Sequence, residues 1–343
     1  MRALSIYRDT TGSTLVLDDV PEPDLGDGDL LVQALALGVC GTDREIVARG
    51  PVWGSEQRNR LILGHESLGR VLAAPDGAEI SPGDLVVGIV RRPDPVPCGY
   101  CAVGQFDLCE NGQYTERGIV GRDGFGSERF RLEQEYAVRV DAALGLAGVL
   151  LEPASVVAKA WEQLDHVVRR ARRRALVLGA GPIGLLAALL GVQRGLEVHV
   201  VDQVEHGAKP RQTRDLGAVY HSSAADLSGT FDAVVECSGV LVGEAIARTA
   251  PGGAACLVGI GAAHGAGTAN LGELNLDLVT QNKLVMGTIN SNRSHFEAAH
   301  QALRQVDRGW LEGLLTDRLP LTAWRSAFDT SPERIKAVIE FDA

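Results

Sequence analysis

The sequence predicts a two-part α/β protein: a doubly wound parallel sheet preceded by a mostly β segment. Three observations carry this. Strands and helices alternate between 175 and 289. A Gly179-Ala180-Gly181-Pro182-Ile183-Gly184 turn joins the first strand of that region to its first helix. Residues 1–150 read instead as short apolar stretches between Gly, Pro and Asp. The domains follow as 1–153, 154–290, and a return of 291–343 to the first.

Within the first part, 30–37, 68–73 and 85–90 are apolar and bounded by turn residues, as strands are. Residues 91–129 are rich in Pro, Gly and Cys and lack periodicity, so a long loop lobe is expected there. Helical spacing begins after Glu152-Pro153, with Val156, Val157, Ala160, Trp161 and Leu164 on one face of 154–168. The basic run 169–174 ends that helix and reads as a solvated helix end. Strands then follow at 175–178, 197–201, 218–221, 233–237, 254–259 and 284–289, separated by helices at 181–193, 211–216 and 242–250. A helix at 295–306 and a strand at 334–341 complete the chain. No internal repeat or low-complexity segment is present.

The net charge of -11 argues against a nucleic-acid partner. Residues 1–7 run straight into a strand-like segment, so no signal peptide is expected, and no apolar run reads as long enough to cross a bilayer. The six cysteines, three clustered and three scattered, do not form a disulfide-like pattern. A cytoplasmic enzyme is expected.

The glycine turn lets the backbone approach a pyrophosphate that faces a helix N-terminus. Its context is right for a dinucleotide: a strand before it, a helix after it, and Asp202 at the end of the next strand. Gly179, Gly181, Pro182, Ile183, Gly184, Asp202 and Gly259 are the candidate cofactor contacts. A carboxylate at 202 accepts from ribose hydroxyls and repels a 2′-phosphate, which favours NAD. Lys209, Arg211 and Arg214 follow soon after and leave NADP open.

Cys40, His65, Glu66 and Glu152 lie in short turn-like settings: Gly38-Val39-Cys40-Gly41-Thr42-Asp43, Gly64-His65-Glu66 and Leu151-Glu152-Pro153. A thiolate, an imidazole and a carboxylate suit one catalytic zinc with a position left open. Asp43 is the natural partner for the second nitrogen of His65. Glu66 is expected either as a ligand or just behind the metal. Thr42 is placed to take a proton from an alcohol. Cys98, Cys101 and Cys109 offer three ligands for a second, structural zinc, with Asp94 or Asp107 available as the fourth.

Gly38 to Asp43, Gly64-His65-Glu66, Pro82-Gly83-Asp84 and the Gly179 turn together resemble the zinc-dependent medium-chain alcohol dehydrogenase superfamily. Val90-Arg91-Arg92-Pro93, Glu116-Arg117-Gly118-Ile119, Leu151 to Val156 and Asn290 to Phe296 are similar to its glucose 1-dehydrogenase branch. The resemblance spans nearly the whole chain. It implies a GroES-like catalytic domain beside a Rossmann domain. It also implies catalytic metal held at Cys40 and His65 with Glu66 and Glu152 close by, nicotinamide near Asn290, and sugar contacts at Glu116, Glu152, Asn292 and His295. Pro95 stands where the superfamily has the first of four lobe cysteines.

The implied reaction is oxidation of an aldose C1 hydroxyl, glucose first, to a lactone. The alternatives are a polyol, aminocyclitol or secondary-alcohol dehydrogenase on the same scaffold, and a catalytically silent nucleotide-binding subunit. Apolar strands at 256–260 and 284–289 suit a sheet continued across subunits, so a homodimer or homotetramer is expected.

Overall fold

The structure, a computed structural model, describes residues 1–9, 12–50, 60–168, 173–261 and 270–342. The chain forms two compact units. One comprises 1–155, 290–330 and 336–343; the other comprises 156–289 and 331–335. The return expected over 291–343 is therefore interrupted. Residues 331–335 group with the second unit, where Ser331, Pro332 and Glu333 line a cavity of about 440 Å³ with Gln203 and Val204.

The first unit is built around Leu30–Val39, whose residues alternate between buried and half-buried along its first half. That period of two marks a strand with one face on the core. It pairs antiparallel with Glu66–Ala73, Ala337–Glu340 and Arg129–Leu132. Leu37, Leu63, Phe125, Phe130 and Ile339 are buried in one cluster on this sheet. A fully buried Leu, Ile or Phe contributes about 1.5–3 kcal/mol, so this cluster holds the C-terminal strand in place.

Residues 91–129 are more ordered than a loop lobe. Arg91–Arg92, Thr115–Arg117 and Gly121–Arg122 form a three-stranded sheet, and Gly99–Ala102 is a short helix. Strands of two or three residues are too short to show periodicity. They are fixed by buried guanidinium groups instead. Arg91 donates to the Asp107 carbonyl at 3.0 Å, Arg92 pairs with Glu133 at 2.8 Å, and Arg117 donates to the Arg131 carbonyl at 2.9 Å.

The second unit is a six-stranded parallel sheet. Across it run Val219–His221, Glu197–Val201, Arg174–Leu178, Phe231–Glu236, Thr249–Leu257 and Leu284–Gly287. The order reverses beside Arg174–Leu178, which is where open α/β sheets bind ligands. Leu176, Val234 and Ala255 are fully buried, as expected for strands covered on both faces. A helix not anticipated from the sequence, Leu271–Gln281, precedes the edge strand. Residues 169–172 of the basic run lie outside the described residues.

Glu152 is not in a turn but in the first turn of the helix Leu151–Val167. With the 3-10 segment before it, 142–167 is long and apolar enough to cross a membrane by length and composition, contrary to the sequence expectation. Its most apolar window is 72% buried within the protein, and Gly145 breaks the helix with φ 53° and ψ -135°. These are features of a core helix.

Candidate functional site

The metal candidates meet in the first unit through strand pairing. Gly38 faces Glu66 across the register of Leu30–Val39 and Glu66–Ala73. A Cβ on Gly38 would stand 2.1 Å from Glu66 Oε2, so only glycine leaves room for that carboxylate. Cys40 follows the strand and stands at the N-cap of the helix Gly41–Arg49. The ligand atoms of Cys40, His65 and Glu66 all lie within 4.8 Å of one another. Thr42 Oγ1 accepts from the Cys40 thiol at 3.9 Å.

Asp43 joins Cys40 and His65. Its Oδ2 accepts the Cys40 backbone N–H at 2.8 Å, and its Oδ1 stands 3.3 Å from His65 Nδ1. That second contact is close enough for an ion pair but not aligned as a hydrogen bond. Burial opposes charge on His65, yet the Asp43 carboxylate raises its pKa well above the usual value. Burial pushes the Glu152 carboxyl up to about 7; His65 and Lys336 pull the other way, and Glu66 adds to the rise. Glu152 thus belongs to this charge cluster without joining the three tightly grouped ligand atoms.

Lys336 is the participant that sequence reading missed. Its ammonium donates to Glu66 Oε1 at 2.7 Å and Oε2 at 2.6 Å, with both side chains at most 2% exposed. Burial disfavours charge on Lys336, but Glu66 and Cys40 raise its pKa. The only hint in the sequence is a lysine at the start of an apolar strand.

The donor set fits zinc. Tetrahedral bonds of about 2.0–2.3 Å require ligand atoms about 3.5 Å apart, within reach of this cluster. The excess of acidic groups over the single lysine also suits a dication. Glu66 meets a competing claim, because both its oxygens are held by Lys336.

The sugar-side candidates fall into two pairs. Glu116 is buried; its Oε1 accepts from Arg91 Nε at 2.9 Å and Asn290 Nδ2 at 2.5 Å. Asn292 and His295 serve each other first. The Asn292 N–H donates to His295 Nδ1 at 3.0 Å, Asn292 Oδ1 caps the helix Arg293–Arg304 at Ser294, and Asn292 Nδ2 donates to Asp107 at 2.8 Å. Phe125 N–H donates to the carbonyl of Gly64, next to His65, at 2.9 Å, and the Ser155 and Ser291 hydroxyls meet at 2.6 Å.

Cys98, Cys101 and Cys109 also place their sulfurs within 4.8 Å of one another. Backbone N–H groups of Glu110 and Cys101 pull the Cys98 thiol down to about 7, while burial pushes Cys101 up to about 11. Neither Asp94 nor Asp107 joins the sulfur group. Asp107 is engaged by Asn292, whereas Asp94 Oδ2 is buried with no hydrogen bond.

In the second unit, the glycine turn follows Arg174–Leu178. Gly181 caps the helix Pro182–Gln193, with Pro182 at its first position, where a missing N–H costs nothing. A Cβ on Gly184 would stand 1.8 Å from the Gly179 carbonyl, so helix and turn require glycine there. Ile183 is half-buried on the same turn. Gly259 donates to the Glu236 carbonyl at 2.9 Å. The buried Glu236 carboxylate accepts the N–H groups of Ser238 and Gly239, shaping a further turn at the same sheet end that sequence reading missed. Asp202 Oδ2 accepts the Ala180 N–H at 2.8 Å, which binds the aspartate to the glycine turn itself.

Comparison with known proteins finds relatives over the whole chain. Residues 26–142 match the alcohol dehydrogenase GroES-like domain, and residues 145–341 match the glucose dehydrogenase C-terminus. The glucose 1-dehydrogenase of Methanocella arvoryzae is 37% identical over all of both chains, and that of Thermoproteus tenax is 37% identical over 99% of each. The structure of Haloferax mediterranei glucose dehydrogenase, in complex with NADP, Zn and gluconolactone, superposes over all of both chains with a TM-score of 0.89 at 32% identity. An alcohol dehydrogenase from Thermotoga maritima, at 21% identity and a TM-score of 0.82, shares the fold. This chain belongs to the glucose dehydrogenase branch of the zinc-dependent medium-chain alcohol dehydrogenase superfamily. The NAD preference read from Asp202 gains no support, since the Haloferax relative holds NADP.

Proposed function

We propose that this protein oxidises the C1 hydroxyl of an aldose, glucose first, to the lactone and passes the hydride to a nicotinamide dinucleotide. The carrying observation is the Cys40, His65 and Glu66 cluster, with ligand atoms within 4.8 Å of one another. Cys40 and His65 would hold the zinc, with Glu66 and Glu152 beside it. When bound, zinc supplies Lewis-acid polarisation of the substrate hydroxyl.

The remaining work belongs to the chain's own groups. Asp43 fixes Cys40 and orients His65. Thr42, within reach of Cys40, takes the hydroxyl proton and passes it outward. Glu116, held by Arg91 through Oε1, presents its other oxygen to sugar hydroxyls. Glu152, with a pKa near 7, can accept or give a proton at neutral pH. Asn290 sets the approach of the nicotinamide. Asn292 and His295 shape the sugar side by fixing the start of Arg293–Arg304. A site lined by polar groups discriminates against an apolar alcohol, because it would leave them unpaired.

The Gly179 turn binds the pyrophosphate of NAD or NADP. Asp94, whose backbone N–H holds Cys101, is the better fourth ligand for a zinc on the cysteine lobe, given its unpartnered oxygen. Leu284–Gly287 is an edge strand with Leu284 and Val285 exposed, and Leu276 and Val279 on the preceding helix are exposed too. Such an edge suits pairing with a second copy. All six cysteines are free thiols, which suits a reducing, cytoplasmic compartment.

The test is an absorbance screen of aldoses, polyols and simple alcohols against NAD and NADP, with metal analysis and light scattering on the same sample. Glucose or another aldose should be turned over with zinc present. Turnover of polyols alone would refute the substrate class, and zinc-independent turnover would refute the site.

A further inference from the structure

The nucleotide-binding unit holds a buried ion pair where an adenosine ribose is recognised. Asp202 follows Glu197–Val201, and its carboxylate accepts from the backbone N–H groups of Ala180 at 2.8 Å and Val204 at 3.2 Å. Lys209 Nζ donates to both oxygens, at 3.3 and 3.2 Å, and each side chain of the pair is only 11% exposed. Three cations follow Asp202 closely, and they are not equivalent. Arg211 and Arg214 are exposed, with the Arg214 guanidinium 5.8 Å from the Tyr220 ring centre. Lys209 alone among them is paired with the carboxylate.

An acidic residue at the end of the second strand bonds the ribose 2′-hydroxyl, and a nearby cation accommodates a 2′-phosphate. A bare aspartate there would repel the phosphate. Here its charge is already offset by an ammonium, which must therefore lie beside the 2′-oxygen. Lysine carries three rotatable donors on a flexible stem, so it can turn toward a phosphate without moving the backbone. Asp202 would then still be held by Ala180 and Val204.

We propose that Lys209 is the residue that admits a 2′-phosphorylated dinucleotide, bonding Asp202 when NAD is bound and the 2′-phosphate when NADP is bound. The proposal rests on the dinucleotide reading of the Gly179 turn above. It turns cofactor choice from a property of Asp202 alone into a property of the pair.

Direct binding to the full chain tests it without reference to turnover. Calorimetric titrations with NAD, NADP, 5′-AMP and 2′,5′-ADP would be run on the parent, Lys209→Met, Lys209→Arg and Asp202→Asn. Loss of a charged hydrogen bond corresponds to at least ~10-fold in affinity. Lys209→Met should therefore weaken NADP and 2′,5′-ADP by ~10-fold or more, leaving NAD and 5′-AMP within about threefold. Lys209→Arg should keep NADP binding. Asp202→Asn should tighten NADP and weaken NAD. Equal losses for both ligand pairs in Lys209→Met, or no loss in either, would overturn the proposal. If Lys209→Met does not fold, an Asp202→Asn protein that shifts both cofactors equally overturns it instead. A parent that binds none of the four ligands removes the dinucleotide reading itself, and this proposal with it.

Discussion

Replacing Lys336 with methionine should destabilise the first unit far more than an ordinary lysine substitution. Its ammonium bonds both oxygens of Glu66, at 2.7 and 2.6 Å, and neither side chain is more than 2% exposed. Removing one partner of such a pair leaves an unpaired buried charge and costs about 3–5 kcal/mol. In a unit of this size each kcal/mol lowers Tm by about 2–4 °C, so the expected fall is roughly 6–20 °C. Surface lysines, by contrast, usually shift stability by no more than ±0.5 kcal/mol.

The assay is chemical and thermal unfolding of the parent, Lys336→Met, Glu66→Gln and the double variant, in zinc-replete and chelated samples. The double variant should recover much of the loss, giving a coupling energy of about 2 kcal/mol or more. Running both metal states separates the ion pair from any change in zinc affinity. A Lys336→Met protein within about 1 kcal/mol of the parent, or single-variant effects that simply add, would refute the reasoning. Glu66 would then be held by something other than Lys336.

Three further outcomes are expected. Cys40→Ser should cut turnover by more than ~100-fold, beyond the loss usual for groups behind a metal ligand, while titrations with the dinucleotide stay unchanged; a parallel loss of cofactor binding would refute a purely metal role. Burial alone would raise the Glu133 pKa, but Arg92 and Arg117 bring it from 4.5 to about 2, so its stabilisation, about 2–3 kcal/mol, is present above pH 4.5 and drains away as pH falls toward 2. Glu133→Gln should therefore flatten the acid limb of a stability-versus-pH curve, and an unaltered limb would contradict the assignment. Cys101→Ser should lower Tm by several degrees and remove one zinc per chain if the lobe binds metal; unchanged metal content and Tm would remove that zinc.

What could be read from the sequence depended on how far apart the interacting residues lie. The parallel sheet was legible because each strand, turn and helix leaves its pattern within about fifteen residues, and the Gly179 turn lies wholly inside such a window. Cys40 and His65 were legible as types suited to zinc and as carriers of a family pattern, although only strand pairing brings Glu66 opposite Gly38. Lys336 lies 270 residues from Glu66 and leaves no local mark. The same holds for the small sheet at Arg91–Arg92, Thr115–Arg117 and Gly121–Arg122, where order comes from buried arginines rather than from apolar periodicity.

Polar residues show a second limit. The family resemblance makes Asn292 and His295 sugar contacts, yet they also fix the start of a helix, and Asn292 holds Asp107. Asp202 was singled out for ribose, yet it also ties the Ala180 N–H and Lys209. A polar side chain in this fold thus carries both scaffold and site, because a buried polar atom left unpaired costs about 1–3 kcal/mol. The residues proposed to meet substrate must therefore also be held by neighbouring side chains. Arg91 stands in that relation to Glu116 and Asp43 to His65. A change of sugar or cofactor in this branch should accordingly be sought first in the supporting member of each pair, where substitution retunes the contact residue without deleting it.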